Sequence, residues 1–150
     1  MYYFAYGSNM EHQQMLVAGC PGAVFVGAAV LENYCLFFDG FSALWGGPVA
    51  NVEVSEGDEV CGGVFKLTEQ DMVALDAREG YPRYYERRQV DVLIAGQAQK
   101  CPVWIYCREP QPTGTPAKMY MATLIKGARD CGLREDYIHA EFDHYMRLYR

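Results

Sequence analysis

Two short stretches of this chain bring together residue types and spacings suited to binding an anion and moving a proton. The first is Tyr6-Gly7-Ser8-Asn9-Met10, which follows strand-favouring residues 2–6. Gly7 permits a sharp turn, and Ser8 and Asn9 read as a helix cap. Backbone N–H groups exposed at such a start favour a carboxylate or phosphate. The second stretch runs from Leu67-Thr68 to Leu75-Asp76-Ala77-Arg78-Glu79-Gly80-Tyr81-Pro82. Thr68 with Asp71 three residues later predicts a capped helix start, strengthened by Leu67 stapling onto Met72, and Gly80 with Pro82 predicts the stop. Glu79 then falls in the last turn, where exposed carbonyls disfavour a carboxylate. An acid placed against that preference is expected to titrate high, as a general base or acid working near neutral pH requires. Taken alone, the same residues also fit an ordinary strand, turn and helix, with Glu79 on the surface beside Arg78, Arg83 or Arg87.

The elements that must position these residues follow from periodicity and punctuation. After strand 2–6, a helix is expected over residues 10–18, stopped by Gly19. Strand-like runs cover residues 23–29, 34–38, 49–54, 60–67, 85–94 and 98–107, with Gly or Asp between them. Ala95-Gly96 predicts that the last two pair as an antiparallel hairpin. The Pro-rich residues 108–115 form a loop too short to divide the chain, and no internal repeat is present. Pro116 opens a helix with Tyr120, Leu124 and Ala128 on one stripe, closed by Gly132. A last helix carries Ile138, Phe142, Tyr145 and Tyr149 on another. Strands first and helices last predict an α+β fold in a single domain, residues 1–150.

Taken in order, these motifs resemble the gamma-glutamylcyclotransferase family over nearly the whole chain. The resemblance is carried by Tyr6-Gly7-Ser8-Asn9, Gly57-Asp58-Glu59-Val60, Gly63-Val64 and Leu75-Asp76-Ala77-Arg78-Glu79-Gly80. It continues through Pro116, Tyr120, Gly127-Ala128, Gly132-Leu133 and Tyr137-Ile138. It implies a small mixed β-barrel, closed or nearly so, with flanking helices. It also implies an intramolecular aminolysis: the α-amine of a γ-glutamyl group attacks its own side-chain carbonyl, giving 5-oxoproline and a free amine. Both reacting groups sit in one small-molecule substrate, so no cofactor is needed. Under this resemblance Glu79 is the catalytic proton carrier. Gly7, Ser8, Asn9 and Met10 hold the substrate α-carboxylate with Tyr6 at their rim, and Tyr85 and Tyr120 donate hydroxyl hydrogen bonds. Asn9-Met10 differs from the continuation in the glutathione-specific branch and in the branch acting on γ-glutamyl-lysine. A γ-glutamyl amino acid, or a γ-glutamyl-protected amine, is the expected substrate. The chain departs from relatives at Arg134, where many have Pro, and in a loop from Gly80 to Tyr85 shorter than in the animal enzymes. A hydrolase using Ser8 with His12 one turn later, and a binding module that has lost catalysis, also fit part of the pattern.

Composition narrows the partners. Half of the 150 residues are hydrophobic, enough for a sizeable core, and the net charge is −6. The basic residues Arg83, Arg87 and Arg88 are too few for a nucleic-acid footprint. Neither a membrane-length apolar stretch nor a signal-like start is seen, so a cytoplasmic protein beginning at Met1 is expected. The six cysteines form no C-x-x-C pair and no zinc-ligand spacing with histidine. They read as reduced, apolar fillers. His139 and His144, five apart, do not share a helix face, and no metal site is expected. Oligomeric state is left open by the sequence.

Overall fold

The computed structural model describes residues 1–149. Residues 2–6 open on β1 (Tyr2–Ala5). Strand β1 pairs antiparallel with β3 (Gly47–Lys66), from Tyr2 opposite Lys66 to Ala5 opposite Gly63, and parallel with β5 (Cys101–Cys107) at Tyr3 and Trp104. Two further strands, β2 (Val24–Ser42) and β4 (Glu86–Ile94), complete a closed barrel in the order β1-β3-β2-β4-β5. With four α-helices among the described residues, the fold is of the α+β class expected from the order of strands and helices, and it is the mixed barrel that the resemblance implies. The β4–β5 hairpin is antiparallel, with Gly96 of the expected turn at φ +81°.

Four of the expected strands merge into two. Residues 23–29 and 34–38 belong to the one strand β2, apart from Ala23 at its start, and residues 49–54 and 60–67 to β3, apart from Leu67 at its end. The register jumps from Glu32 opposite Glu59 to Tyr34 opposite Val54, so β3 bulges between them. Asn33 absorbs the bend with φ +63°, and its side chain accepts the Gly57 amide at 3.0 Å. Asn and Gly, which look like turn residues in sequence, here bend a continuous ladder without ending it.

The expected helix 10–18 is also replaced. Residues Ser8–Met10 make a single 3-10 turn, and Gln13–Gly19 wind as a wider π-type helix. Glu11 is the cause: its carboxylate accepts the amides of Gln13 and Gln14 and pairs with Lys126 at 2.7 Å. The helix therefore starts beyond Glu11, and Ser8 and Asn9 make no side-chain cap.

Helix α1 (Glu69–Glu79) follows its sequence signals. Thr68 Oγ1 accepts the Asp71 amide at 3.1 Å, and Asp71 accepts the Thr68 amide at 3.2 Å. Helix α2 (Lys118–Asp130) buries Tyr120, Leu124 and Ala128 as its pattern requires. The expected last helix is α3 (Glu135–Ile138) and α4 (His144–Leu148), joined by a wide turn at His139–Asp143. Ile138 and Phe142 are fully buried there, while Tyr145 and Tyr149 pack at the margin of the core. All six cysteines are free thiols. Burial pushes the Cys131 thiol up to about 12 and that of Cys20 to about 11. Among the described residues no helix is long and apolar enough to cross a membrane.

Candidate active site

Glu79 is the last residue of α1, and local sequence places it there. Gly80 takes the left-handed conformation, φ +70° and ψ +29°. The Tyr81 amide reaches back to the Asp76 carbonyl at 2.9 Å and the Gly80 amide to Ala77 at 3.3 Å. This closure ends the helix after one residue in φ > 0, a conformation glycine adopts without penalty. The Glu79 carboxylate turns inward to the mouth of the barrel, where Asn9 Nδ2 donates to Oε1 at 2.6 Å. Among the described residues it makes no ion pair with Arg78, Arg83 or Arg87, and Arg87 pairs with Asp76 instead. Burial raises the Glu79 pKa above the ordinary carboxylate range. The Asn9 hydrogen bond and the charges of Arg78 and Arg108 oppose that rise without cancelling it.

Asn9 acts through its side chain, a role the cap expectation missed. Its Oδ1 accepts from Gln14 Nε2 at 3.1 Å, which fixes the amide so that Nδ2 faces Glu79 and the Tyr3 hydroxyl, the latter at 3.0 Å. Gln14 Nε2 also donates to Ser8 Oγ at 3.1 Å. Met10 is completely buried, its amide bonded to the Gly7 carbonyl, and it lies outside the cavity. The backbone N–H groups of Ser8 and Asn9 have no partner among the described residues. A three-residue turn has little dipole, so an anion here would be held by these amides directly rather than by a helix field. Gly7 is needed for close approach: a Cβ there would lie 3.3 Å from both the Ala50 Cβ and the Tyr120 hydroxyl.

These groups enclose a small cavity of about 40 Å³ whose walls include Glu79, Gly7, Ser8, Asn9 and five tyrosines. The expected Tyr6, Tyr85 and Tyr120 all line it, together with Tyr3 and Tyr106, which were not expected. Their hydroxyl protons are not equivalent. Tyr6 donates to the Tyr106 carbonyl, and Tyr85 donates to the Ala50 carbonyl at 2.9 Å. Tyr106 donates to Asp76 at 2.6 Å. Tyr120 accepts the Ala50 amide at 2.8 Å and Tyr3 accepts from Asn9, so each keeps its own proton for another acceptor.

Behind Tyr85 lies a buried ion pair that sequence did not signal. Arg108 Nη1 meets Asp39 Oδ1 at 2.6 Å with both side chains essentially inaccessible. Arg108 also donates to the Tyr85 hydroxyl at 3.3 Å, and Asn51 bridges Asp39 to the Arg108 carbonyl. The pairing of Ser8 with His12 is not found. The His12 ring packs on Phe25 with centroids 4.7 Å apart, and its Nε2 lies 3.7 Å from Cys131 Sγ. Among the described residues no three His, Cys, Asp or Glu side chains converge as a metal site.

Comparison with known proteins agrees with the motif order. The family model described as gamma-glutamyl cyclotransferase, AIG2-like, matches residues 3–122. Gamma-glutamylcyclotransferase of Bos taurus is 32% identical over 143 residues, covering 90% of this chain and 73% of that protein. The Homo sapiens protein of the same name gives the same identity and coverage. A solved structure of a gamma-glutamyl cyclotransferase superposes with a TM-score of 0.88 at 28% identity, over 93% of this chain and 85% of the other. The crystal structure of YkqA from Bacillus subtilis superposes with a TM-score of 0.81 at 25% identity, over 97% of this chain and 54% of the other.

Proposed function

Since the chain belongs to the gamma-glutamyl cyclotransferase, AIG2-like family and is an enzyme of that class, we propose that Glu79 carries the proton in its reaction. The substrate is a small γ-glutamyl compound. Its α-carboxylate lies against the free amides of Ser8 and Asn9, which turns the α-amine toward the side-chain carbonyl. Ionised Glu79 takes a proton from the amine as the new C–N bond closes the five-membered ring. The carbonyl oxygen becomes an oxyanion in the tetrahedral intermediate. Tyr120, whose hydroxyl proton is uncommitted, donates to it. Glu79 then returns its proton to the leaving nitrogen as the old C–N bond breaks, releasing 5-oxoproline and a neutral amine.

The observation that carries this reading is the position of Glu79: an inward carboxylate with a raised pKa, on the wall of a cavity lined also by Ser8 and Asn9, whose amides have no partner among the described residues. Tyr85 is assigned a positioning role, because its proton is already given to Ala50. The test is 5-oxoproline release from γ-glutamyl amino acids by wild type and Glu79→Gln. Loss of a general base and acid is expected to lower turnover by roughly 10²- to 10⁴-fold. Unchanged turnover in the variant would remove Glu79 from the mechanism.

A further inference from the structure

A second hollow, of about 150 Å³, opens on the other side of Glu79 and shares Ser8, Glu79, Tyr85 and Tyr120 with the first cavity. Its outer walls differ in kind. They are Leu44, Trp45 and Val49 from the β2–β3 hairpin, facing Arg78 and Tyr84 from the end of α1 and the loop after it. Trp45 is held edge-on against Tyr120, with centroids 5.1 Å apart, and the Tyr84 hydroxyl donates to the Phe41 carbonyl at 3.1 Å. The hairpin tip therefore stands braced against the helix end with a cleft between them. Phe41 and Leu44 leave 64% and 81% of their surface open beside that cleft, where an apolar group could cover them.

Arg78 adds a charge to this apolar wall. Among the described residues it pairs with no carboxylate, and its one protein hydrogen bond is a long one, Nη1 to the Gln14 carbonyl at 3.4 Å. It borders both the second hollow and the shallower depression between Phe41 and Gly80 that continues from it. A guanidinium with free donors at the edge of an apolar cleft is matched by a ligand with an apolar body and a carboxylate.

The geometry points to this cleft as the leaving-group subsite, selective for the γ-glutamyl conjugate of an apolar or aromatic α-amino acid whose carboxylate is read by Arg78. The assignment rests on the proposed reaction, since it takes the first cavity as the seat of the glutamyl head. The scissile bond then lies between the two hollows, at the carboxylate of Glu79 that both share. A γ-glutamyl amine without a carboxylate would leave Arg78 without its partner. A γ-glutamylglycine would leave Trp45 and Leu44 uncovered.

Three compounds separate these contributions: γ-glutamylphenylalanine, γ-glutamylphenethylamine, which lacks only the leaving-group carboxylate, and γ-glutamylglycine, which lacks only the side chain. Wild type is expected to favour the phenylalanine compound in kcat/KM by roughly tenfold over each of the others. Arg78→Gln should abolish the preference over the phenethylamine compound while keeping that over the glycine compound, and Trp45→Ala should do the reverse. Arg78 also touches the titration of Glu79, but that effect falls on all three substrates alike and cancels in their ratios. Equal wild-type turnover of the amine and amino-acid compounds, or an Arg78→Gln variant that keeps the full preference, would overturn the assignment. Release of 5-oxoproline from none of the three would instead overturn the reaction on which it rests.

Discussion

The Glu79 carboxylate accepts one strong hydrogen bond, from Asn9, and otherwise faces tyrosines and a cavity. Burial raises its folded-state pKa above the unfolded value, so the folded chain holds that proton more tightly than the unfolded chain does. Stability from this group is thus full below the unfolded value of about 4.3 and is lost as pH rises through the folded pKa. Glu79→Gln, which cannot ionise yet can still accept from Asn9, is expected to unfold at higher temperature than wild type at pH 7. That gap should close on acidification to pH 4, as followed by thermal melts across pH. In wild-type kinetics, the acid limb of kcat/KM should have its midpoint above the ordinary glutamate range, because the proposed reaction starts from the ionised form. The tyrosines divide in a similarly testable way. Tyr120→Phe removes an uncommitted proton donor and is expected to lower kcat by roughly 10²-fold with little change in KM. Tyr85→Phe should lower kcat less and destabilise more, by about 1–3 kcal/mol, because the Ala50 carbonyl and Arg108 each lose a buried partner. Side-by-side kinetics and denaturant unfolding of the two variants check both halves.

The end of α1 sets where Glu79 points. Gly80→Ala would put a side chain at φ +70° and bring its Cβ to 3.0 Å from that of Tyr84. A loss of about 1–2 kcal/mol is expected from the left-handed backbone alone. Activity should fall more than stability, because the helix end cannot shift without moving the carboxylate. Denaturant melts and kcat/KM on the same preparation compare the two losses. Elements of this kind were legible in sequence because their determinants are local: Thr68 and Asp71 cap α1, Gly80 closes it, and Tyr120, Leu124 and Ala128 repeat at helical spacing. Elements decided at long range were not. The winding of residues 13–19 depends on Glu11 meeting Lys126, and the continuity of β2 and β3 depends on Asn33 meeting Gly57. For the site, the motifs and the resemblance they carry named Glu79 and the turn from Gly7. The Asn9 to Glu79 bond spans 70 residues, and Tyr3, Tyr106 and Arg108 reach the site only through barrel closure. No local pattern announces such contacts.

At the scale of the molecule, the site rests on a barrel whose interior contains a charged pair. Arg108 and Asp39 are almost fully removed from water, and Asn51 Nδ2 and the Gln111 amide both donate to the remaining oxygen of Asp39, Oδ2. Replacing one partner leaves the other as a buried unpaired charge, so Asp39→Ala is expected to destabilise by about 3–5 kcal/mol. Asp39→Ala with Arg108→Met, which removes both charges, should recover part of that loss, as chemical denaturation of the two variants would measure. The route by which the barrel closes has a consequence in time. Strand β1 has partners only in β3 and β5, and the bond from Tyr6 to the Tyr106 carbonyl spans 100 residues. A ribosome adding ~5–20 residues per second makes β1 first and its last partner roughly five to twenty seconds later. Through that interval the β5-facing edge of Tyr2-Tyr3-Phe4 stays open, and until β3 is made both edges of this aromatic strand are open. Tyr3 of this strand and the turn that follows it line the candidate site, so the segment that positions them is also an adhesive surface during synthesis, a natural target for a holding chaperone.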